Sequence, residues 1–302
     1  MKKKANKYCT LYLKGGLGNQ LFQYATAYSY TKKYKKKLKI NIDQYINQEW
    51  EKETGFVLDK IISDINILPL SGWTRLLQKN YFLKFLGRMM RKIFLKKGLV
   101  FEEIQPYILQ SSVQDNGNYD GLSGYFQNPQ YFEVDSKEIK SKIHLKLITK
   151  PSIELSKKII ITETSVALHY RDYSDPGSGN LEVREKMGEP DNDYYYKAIK
   201  FMKENTNDPY FFVFSNNIDS AKKKFKDFQD LYYFNYKSDF LWEDMSLMSL
   251  CKNNIICNSS YSWWSAYLNP NKDKIVVAPK KWDNFSFTDP CEHLYPPGWI
   301  KF

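Results

Sequence analysis

The chain of 302 residues is short of the residues that build metal centres and covalent staples, with four cysteines and three histidines. Cys9, Cys251, Cys257 and Cys291 make no Cys-x-x-Cys pair, so neither a zinc ribbon nor a disulfide framework is indicated, and a reducing cytoplasm is the expected setting. No run approaches the roughly 18 apolar residues of a membrane-spanning helix, so any membrane attachment is expected to be peripheral, on the inner face of the cytoplasmic membrane. Met1-Lys2-Lys3-Lys4 imitates the start of a signal peptide, but the apolar stretch behind it is short and stops at Lys14, so export is not expected. Nucleic-acid-binding motifs are also lacking.

In excess are positive charge and aromatic rings. The formal net charge of +11, from 45 basic and 34 acidic residues, points to an anionic partner such as nucleotide phosphates or lipid head groups. Aromatic residues make up 17% of the chain, with 24 Tyr and 7 Trp, which suits either a Tyr-rich core or a surface that stacks on the C–H faces of sugars. The length fits two domains of about 150 residues each.

Residues 11–42 read as strand, glycine loop, helix and second strand. The aromatic and apolar run Tyr8 to Leu13 halts at Lys14-Gly15-Gly16, Gly18 follows, and a helix is expected from about Asn19 or Gln20. At such a junction, unpaired amides and the helix dipole favour an anionic group. A phosphate-binding P-loop is excluded because no Lys follows Gly18. A dinucleotide fingerprint keeps Gly16-Leu17-Gly18, with Asp43 beyond the next strand, but its third glycine is replaced by Leu21. Asn19, Gln20 and Gln23 are open to two uses: capping the helix, or bonding a polyhydroxylated ligand.

Further along, the segment 72–97, opened by Gly72 and closed by Lys97, reads as a basic amphipathic helix or helix pair. Trp73, Leu76, Leu77, Phe85, Met89 and Ile93 recur at helical spacing between Arg75, Lys79, Arg88, Arg91 and Lys92. Two uses stay open for it: the core of the first domain, or docking on an anionic membrane. Lys150-Pro151 marks the expected boundary, giving domains 1–150 and 151–302, with a helix from Ile153. The second half opens on the buried-strand run Ser165-Val166-Ala167-Leu168, which ends in His169-Tyr170-Arg171-Asp172-Tyr173. A second strand, from Pro209 to Phe214, ends in Ser215-Asn216-Asn217. A third, Ile255-Ile256-Cys257, ends in Asn258-Ser259-Ser260, with a helix from Asp244 to Cys251 before it. Asp191-Asn192-Asp193 imitates a metal-binding Asp-x-Asp, but it leads straight into a helix, where an acidic first turn is an ordinary cap. Alternating strands and helices give an α/β fold of two doubly wound Rossmann-like domains facing a cleft, with the tail from Trp282 packing back.

GGLGNQLFQYA, GYFQ (Gly124 to Gln127), the His169-x-Arg171 segment, DMSLMSLCKNNIICNSSYSWWSAYLN and LYPPGWIKF, taken in that order, resemble the motif blocks of glycosyltransferase family 11 from about residue 11 to the end. Its best-known members are α-1,2-fucosyltransferases that use GDP-fucose. Two departures stand out. This chain has His-Tyr-Arg-Asp-Tyr where the family has His-x-Arg-Arg-Gly-Asp-Tyr, and Ser215-Asn216-Asn217 where relatives have Ser-Asp-Asp.

The resemblance implies the glycosyltransferase B architecture, with an acceptor-side first domain and a nucleotide-sugar-binding second domain. It also implies inverting transfer of L-fucose from GDP-fucose to a glycan, lipid-linked in a bacterial surface polysaccharide, with no cofactor or obligatory metal. Gly16, Gly18 and Asn19 would line the cleft from the first domain. His169, Arg171, Ser215, Asn216, Asp244, Asn258, Ser259 and Ser260 would bind the donor from the second. Arg171 is the expected holder of the diphosphate, since its planar fork takes two phosphate oxygens as charge develops on the leaving group. Asp172 and Asp43 are the carboxylates considered for the base.

Overall fold

The computed structural model describes residues 6–47, 55–68, 100–103, 109–175, 181–190, 192–234, 238–283 and 291–302. These divide into two compact units, Met1–Ile143 and His144–Phe302. The first unit runs β1 (Tyr8–Tyr12), α1 (Leu17–Lys33), β2 (Lys37–Asn41), α2 (Asp43–Asn47), α3 (Leu58–Ile61), β3 (Val100–Glu102), α4 (Ser111–Asp115), β4 (Gly121–Ser123) and α5 (Ser136–Lys142). The second runs α6 (Lys150–Ile161), β5 (Ser165–Tyr170), α7 (Leu181–Met187), α8 (Asn192–Asn205), β6 (Tyr210–Ser215), α9 (Ile218–Lys224) and β7 (Leu231–Tyr233). It continues through α10 (Glu243–Leu250), β8 (Asn253–Ile255), α11 (Ser260–Leu268), β9 (Val276–Ala278), α12 (Cys291–Leu294) and β10 (Ile300–Lys301).

In the first unit the described strands form a sheet of order β2-β1-β4-β3, parallel at every pairing. Cys9, Leu11, Leu13 and Leu122 are buried within it. The helix α1 is buried around much of its circumference, with Leu21, Phe22, Ala25 and Ala27 fully inside. Gln20 and Gln23 are also fully inside, because each takes up backbone groups of the glycine loop.

The second unit's described strands run β10-β9-β8-β5-β6-β7, again parallel throughout. A parallel strand covered on both faces reads as a continuous apolar run, as in Phe211-Phe212-Val213-Phe214 of β6. All six residues of β5 are buried. Val166, Leu168 and Tyr170 pack with Tyr194, Tyr195, Ala198 and Met202 of α8 on one face. Ala167 packs with Leu155 and Ile159 of α6 and Leu247 and Met248 of α10 on the other.

Several expectations move by a few residues. The helix α1 starts at Leu17, not Asn19, so Gly18 lies in its first turn and not in the loop. Pro151 stands in the first turn of α6, where its missing N–H costs nothing, so it opens the helix from Lys150 instead of ending an element. The strand expected at Ile255-Ile256-Cys257 is β8, two residues earlier, which leaves Cys257 in the turn that follows. The tail returns to the second sheet as β10 beside β9. The amphipathic segment 72–97 lies outside the described residues. No helix among them is long and apolar enough to cross a membrane.

The first turn of α10 is tied down by one carboxylate. Fully buried Glu243 accepts from the amides of Ile148 (2.5 Å) and Thr149 (2.8 Å) and from the hydroxyls of Thr149, Ser152 and Ser238. Burial alone would raise its pKa, but these hydrogen bonds outweigh that and hold it down at about 2. A depressed carboxylate contributes stability that is complete above the unfolded value of about 4.3 and lost as pH falls toward 2. Glu243→Ala should therefore cost about 2–4 kcal/mol at neutral pH, since it strands several buried donors. Urea midpoints should differ strongly between mutant and wild type at pH 7 and converge near pH 2. Parallel curves at every pH would refute the assignment.

Candidate active site

In an open parallel sheet, ligands gather at the carboxyl ends of the strands, where loops leave and helices begin. At that edge of the second unit, β5 delivers His169, Arg171 and Asp172, β6 delivers Ser215 and Asn216, and the turn after β8 delivers Asn258 and Ser259. The structure therefore brings together the residues expected on the donor side, though most of them are engaged in holding the edge itself.

His169 is buried, and its Nδ1 lies 3.0 Å from the Cys257 sulfur. Burial, with the nearby Arg171 charge, pushes its pKa down to about 3, so the imidazole is neutral at physiological pH. Arg171 is half-buried just past β5, with its guanidinium carbon 5.9 Å from the centre of the Tyr173 ring. Tyr173 is fixed in turn by donating its hydroxyl to the Asn258 carbonyl at 2.9 Å.

Asp172 faces its own loop. It is 3% exposed; Oδ1 accepts from the amide (2.9 Å) and hydroxyl (2.5 Å) of Ser174, and Oδ2 accepts from Asn217 Nδ2 (3.2 Å). Burial would raise its pKa, but these bonds, with others from Ser220 and the Asp175 amide, hold the carboxyl below its ordinary range. A carboxylate so engaged braces its loop. Asn216 does similar work: its Oδ1 accepts from the Asp172 amide at 2.9 Å and its Nδ2 donates to the Asp172 carbonyl at 3.2 Å. The hydroxyl of Ser215 bonds the backbone of Asn217, and Asn217 caps α9 through Ser220.

The turn after β8 is equally occupied. Asn258 Nδ2 lies within donating distance of the carbonyls of Met187 (3.0 Å), Gly188 (3.0 Å) and Trp282 (2.9 Å), which ties three segments together, while its buried Oδ1 has no partner among the described residues. Ser259 caps α11 by accepting from the Tyr261 amide, and Ser260 is half-buried in the first helical position. In α10, Asp244 has a buried Oδ1 without a partner among the described residues, and burial followed by the charge of Glu243 pushes its pKa up to about 6.

In the first unit, Gly15 accounts for the tight loop. It has φ of +79°, and a Cβ there would lie 2.8 Å from Asn19 Nδ2. Its carbonyl accepts from Gln20 Nε2 (3.1 Å) and Tyr45 OH (2.6 Å). Gln20 also bonds the backbone of Gly55 and Val57, and Gln23 bonds the backbone of Lys14 and Asn19. These two amides thus hold the loop, which is neither of the uses left open for them. Gly16 is the N-cap of α1, with open space where a Cβ would stand and no side chain capping the helix. Half-buried Asn19 accepts from Gln127 Nε2 at 2.6 Å, which joins the GGLG and GYFQ segments. Asp43 opens α2 and bonds Asn41.

Among the described residues, no cluster of His, Cys, Asp and Glu could hold a metal ion. Asp191 lies outside the described residues, and Asp193 pairs with Lys197 one turn along α8.

The fold is that of a glycosyltransferase of the B type. A crystal structure of the fucosyltransferase NodZ from Bradyrhizobium matches with a TM-score of 0.51 at 12% identity, over 87% of this chain and 92% of that one. NodZ α-1,6-fucosyltransferase soaked with GDP-fucose matches with a TM-score of 0.51 at 13% identity, over 88% and 93%. The family model described as Glycosyl transferase family 11 matches residues 9–302, and the chain belongs to that family. An α-1,2-colitosyltransferase of Escherichia coli is 32% identical over 96% of this chain and 97% of its own length. The O-antigen biosynthesis glycosyltransferase WbnK of the same species is 31% identical over 89% and 93%.

If Asp172 braces the loop, Asp172→Asn should lower stability by about 1–3 kcal/mol through mismatched buried partners. The pH dependence of activity in the surviving folded enzyme should keep the shape of the wild type. A fully stable Asp172→Asn protein with activity abolished would return this residue to the chemistry.

Proposed function

We propose that the chain transfers L-fucose from GDP-fucose to a hydroxyl of a glycan acceptor, with inversion and in α-1,2 linkage, during synthesis of a surface polysaccharide. The observation that carries this reading is the edge of the second unit. There a neutral His169 and a half-buried Arg171 leave the end of a fully buried strand, beside the capped start of α11. As the bond from the sugar to the diphosphate breaks, charge grows on the phosphate oxygens, and a guanidinium held in place stabilises it without reorganising.

A second reading is supported by the 32% identical colitosyltransferase, namely transfer of colitose, which is fucose without its 3-hydroxyl. Supplying both GDP-sugars with a set of glycan acceptors and following product by mass spectrometry separates the two. Transfer should persist in EDTA, because Arg171 supplies the cation at the leaving group; loss restored by manganese or magnesium would refute this. Arg171→Ala should cut transfer by about a hundredfold to a thousandfold with folding retained. Arg171→Lys should recover it only in part, since an ammonium lacks the bidentate fork. Near-normal turnover in a folded Arg171→Ala protein would show that the diphosphate binds elsewhere.

A further inference from the structure

His169 in β5 and Cys257 in the turn after β8 meet inside the second unit, with Sγ 3.0 Å from Nδ1. One hydrogen lies between these atoms, and whichever atom carries it determines which ring nitrogen is left as donor. Several observations assign it to the sulfur. Burial pushes the Cys257 thiol up to about 12, so it keeps its hydrogen. The imidazole is neutral and carries one N–H. The sulfur already accepts from the Arg171 amide. A further polar neighbour, Ser262 Oγ, stands 3.8 Å away, and its own hydrogen has the carbonyls of Ser259 (3.2 Å) and Cys257 (3.5 Å) within reach. The thiol hydrogen thus has one short acceptor, His169 Nδ1, and the ring proton falls on Nε2. That nitrogen makes no hydrogen bond to any described residue, which leaves it as the ring's donor.

We infer that Cys257 is a positioning residue for His169: its thiol locks the imidazole in the Nε2–H tautomer, so that His169 meets the sugar nucleotide as a fixed hydrogen-bond donor and not as a base. The ligand atom it suits is an acceptor, either a phosphate oxygen or a base carbonyl. The identity of that ligand rests on the donor reading above; the tautomer does not.

Long-range proton–nitrogen NMR of the 15N-labelled protein reads the tautomer directly, since the chain has three histidines and His169→Gln identifies the relevant signals. The expected spectrum has a pyrrole-like Nε2 and a pyridine-like Nδ1, retained in Cys257→Ser and mixed in Cys257→Ala. The opposite tautomer in the wild type, or a spectrum unchanged by Cys257→Ala, would overturn the inference. In calorimetry, Cys257→Ala should bind GDP about threefold to tenfold more weakly, with Cys257→Ser closer to wild type. A guanosine arm separates the two acceptors: weakening for GDP alone identifies a phosphate oxygen, and weakening for both identifies the base. If the tautomer changes and neither affinity does, the positioning role is wrong. If wild type binds no GDP at all, the donor reading fails while the spectrum still decides the tautomer.

Discussion

The second unit depends on the pairing of β5 with β6 on one side and β8 on the other. With all six of its side chains inside and both edges bonded, this strand has no freedom to shift register or tilt, so whatever follows it leaves from a fixed point. His169 still belongs to the strand, and Arg171 is the first residue beyond it. A group that must be preorganised toward developing charge is best held by such an element and not by a free loop. The contact of His169 with Cys257 belongs to the same constraint, since it joins the ends of two neighbouring strands.

The polar side chains around both strand edges have a common use. Gln20 and Gln23 hold the glycine loop, Asn216 and Asp172 hold each other's segment, Asn258 ties three chain segments together, and Glu243 anchors α10. Irregular backbone near a buried edge leaves N–H and C=O groups that water cannot serve, and amides and carboxylates satisfy them at low volume. Motif residues that look like ligand contacts can therefore be builders of the site. Among the described residues, Asp244 and Asn258, each with an unpaired enclosed oxygen, stand out against this background.

The parallel α/β fold was legible because buried strands such as Phe211 to Phe214 are continuous apolar runs and the breaks between them carry Gly, Asn and Ser. The position of Arg171 followed from the same pattern. Less legible was which way each polar group turns. Asp172 reads as a free carboxylate in His-Tyr-Arg-Asp-Tyr, and only the fold brings Asn217, more than forty residues away, against it. Cys257 carried no signal beyond its place beside Asn258, because a lone cysteine in an apolar run reads as core. Gly15 was passed over for Gly16 and Gly18, although its left-handed backbone makes it the residue the turn requires. Helix starts slipped by about two residues, where Gly18 and Pro151 look like breakers but fit a first turn.

The central claim, that the second unit is built to hold a GDP-linked sugar through Arg171, is tested most directly by calorimetric titration of the protein with GDP, UDP and NAD in the presence of EDTA. The account predicts saturable binding of GDP without added metal, and none of comparable strength for UDP or NAD. Tighter binding of UDP, or GDP binding that appears only when a divalent metal is restored, would contradict it.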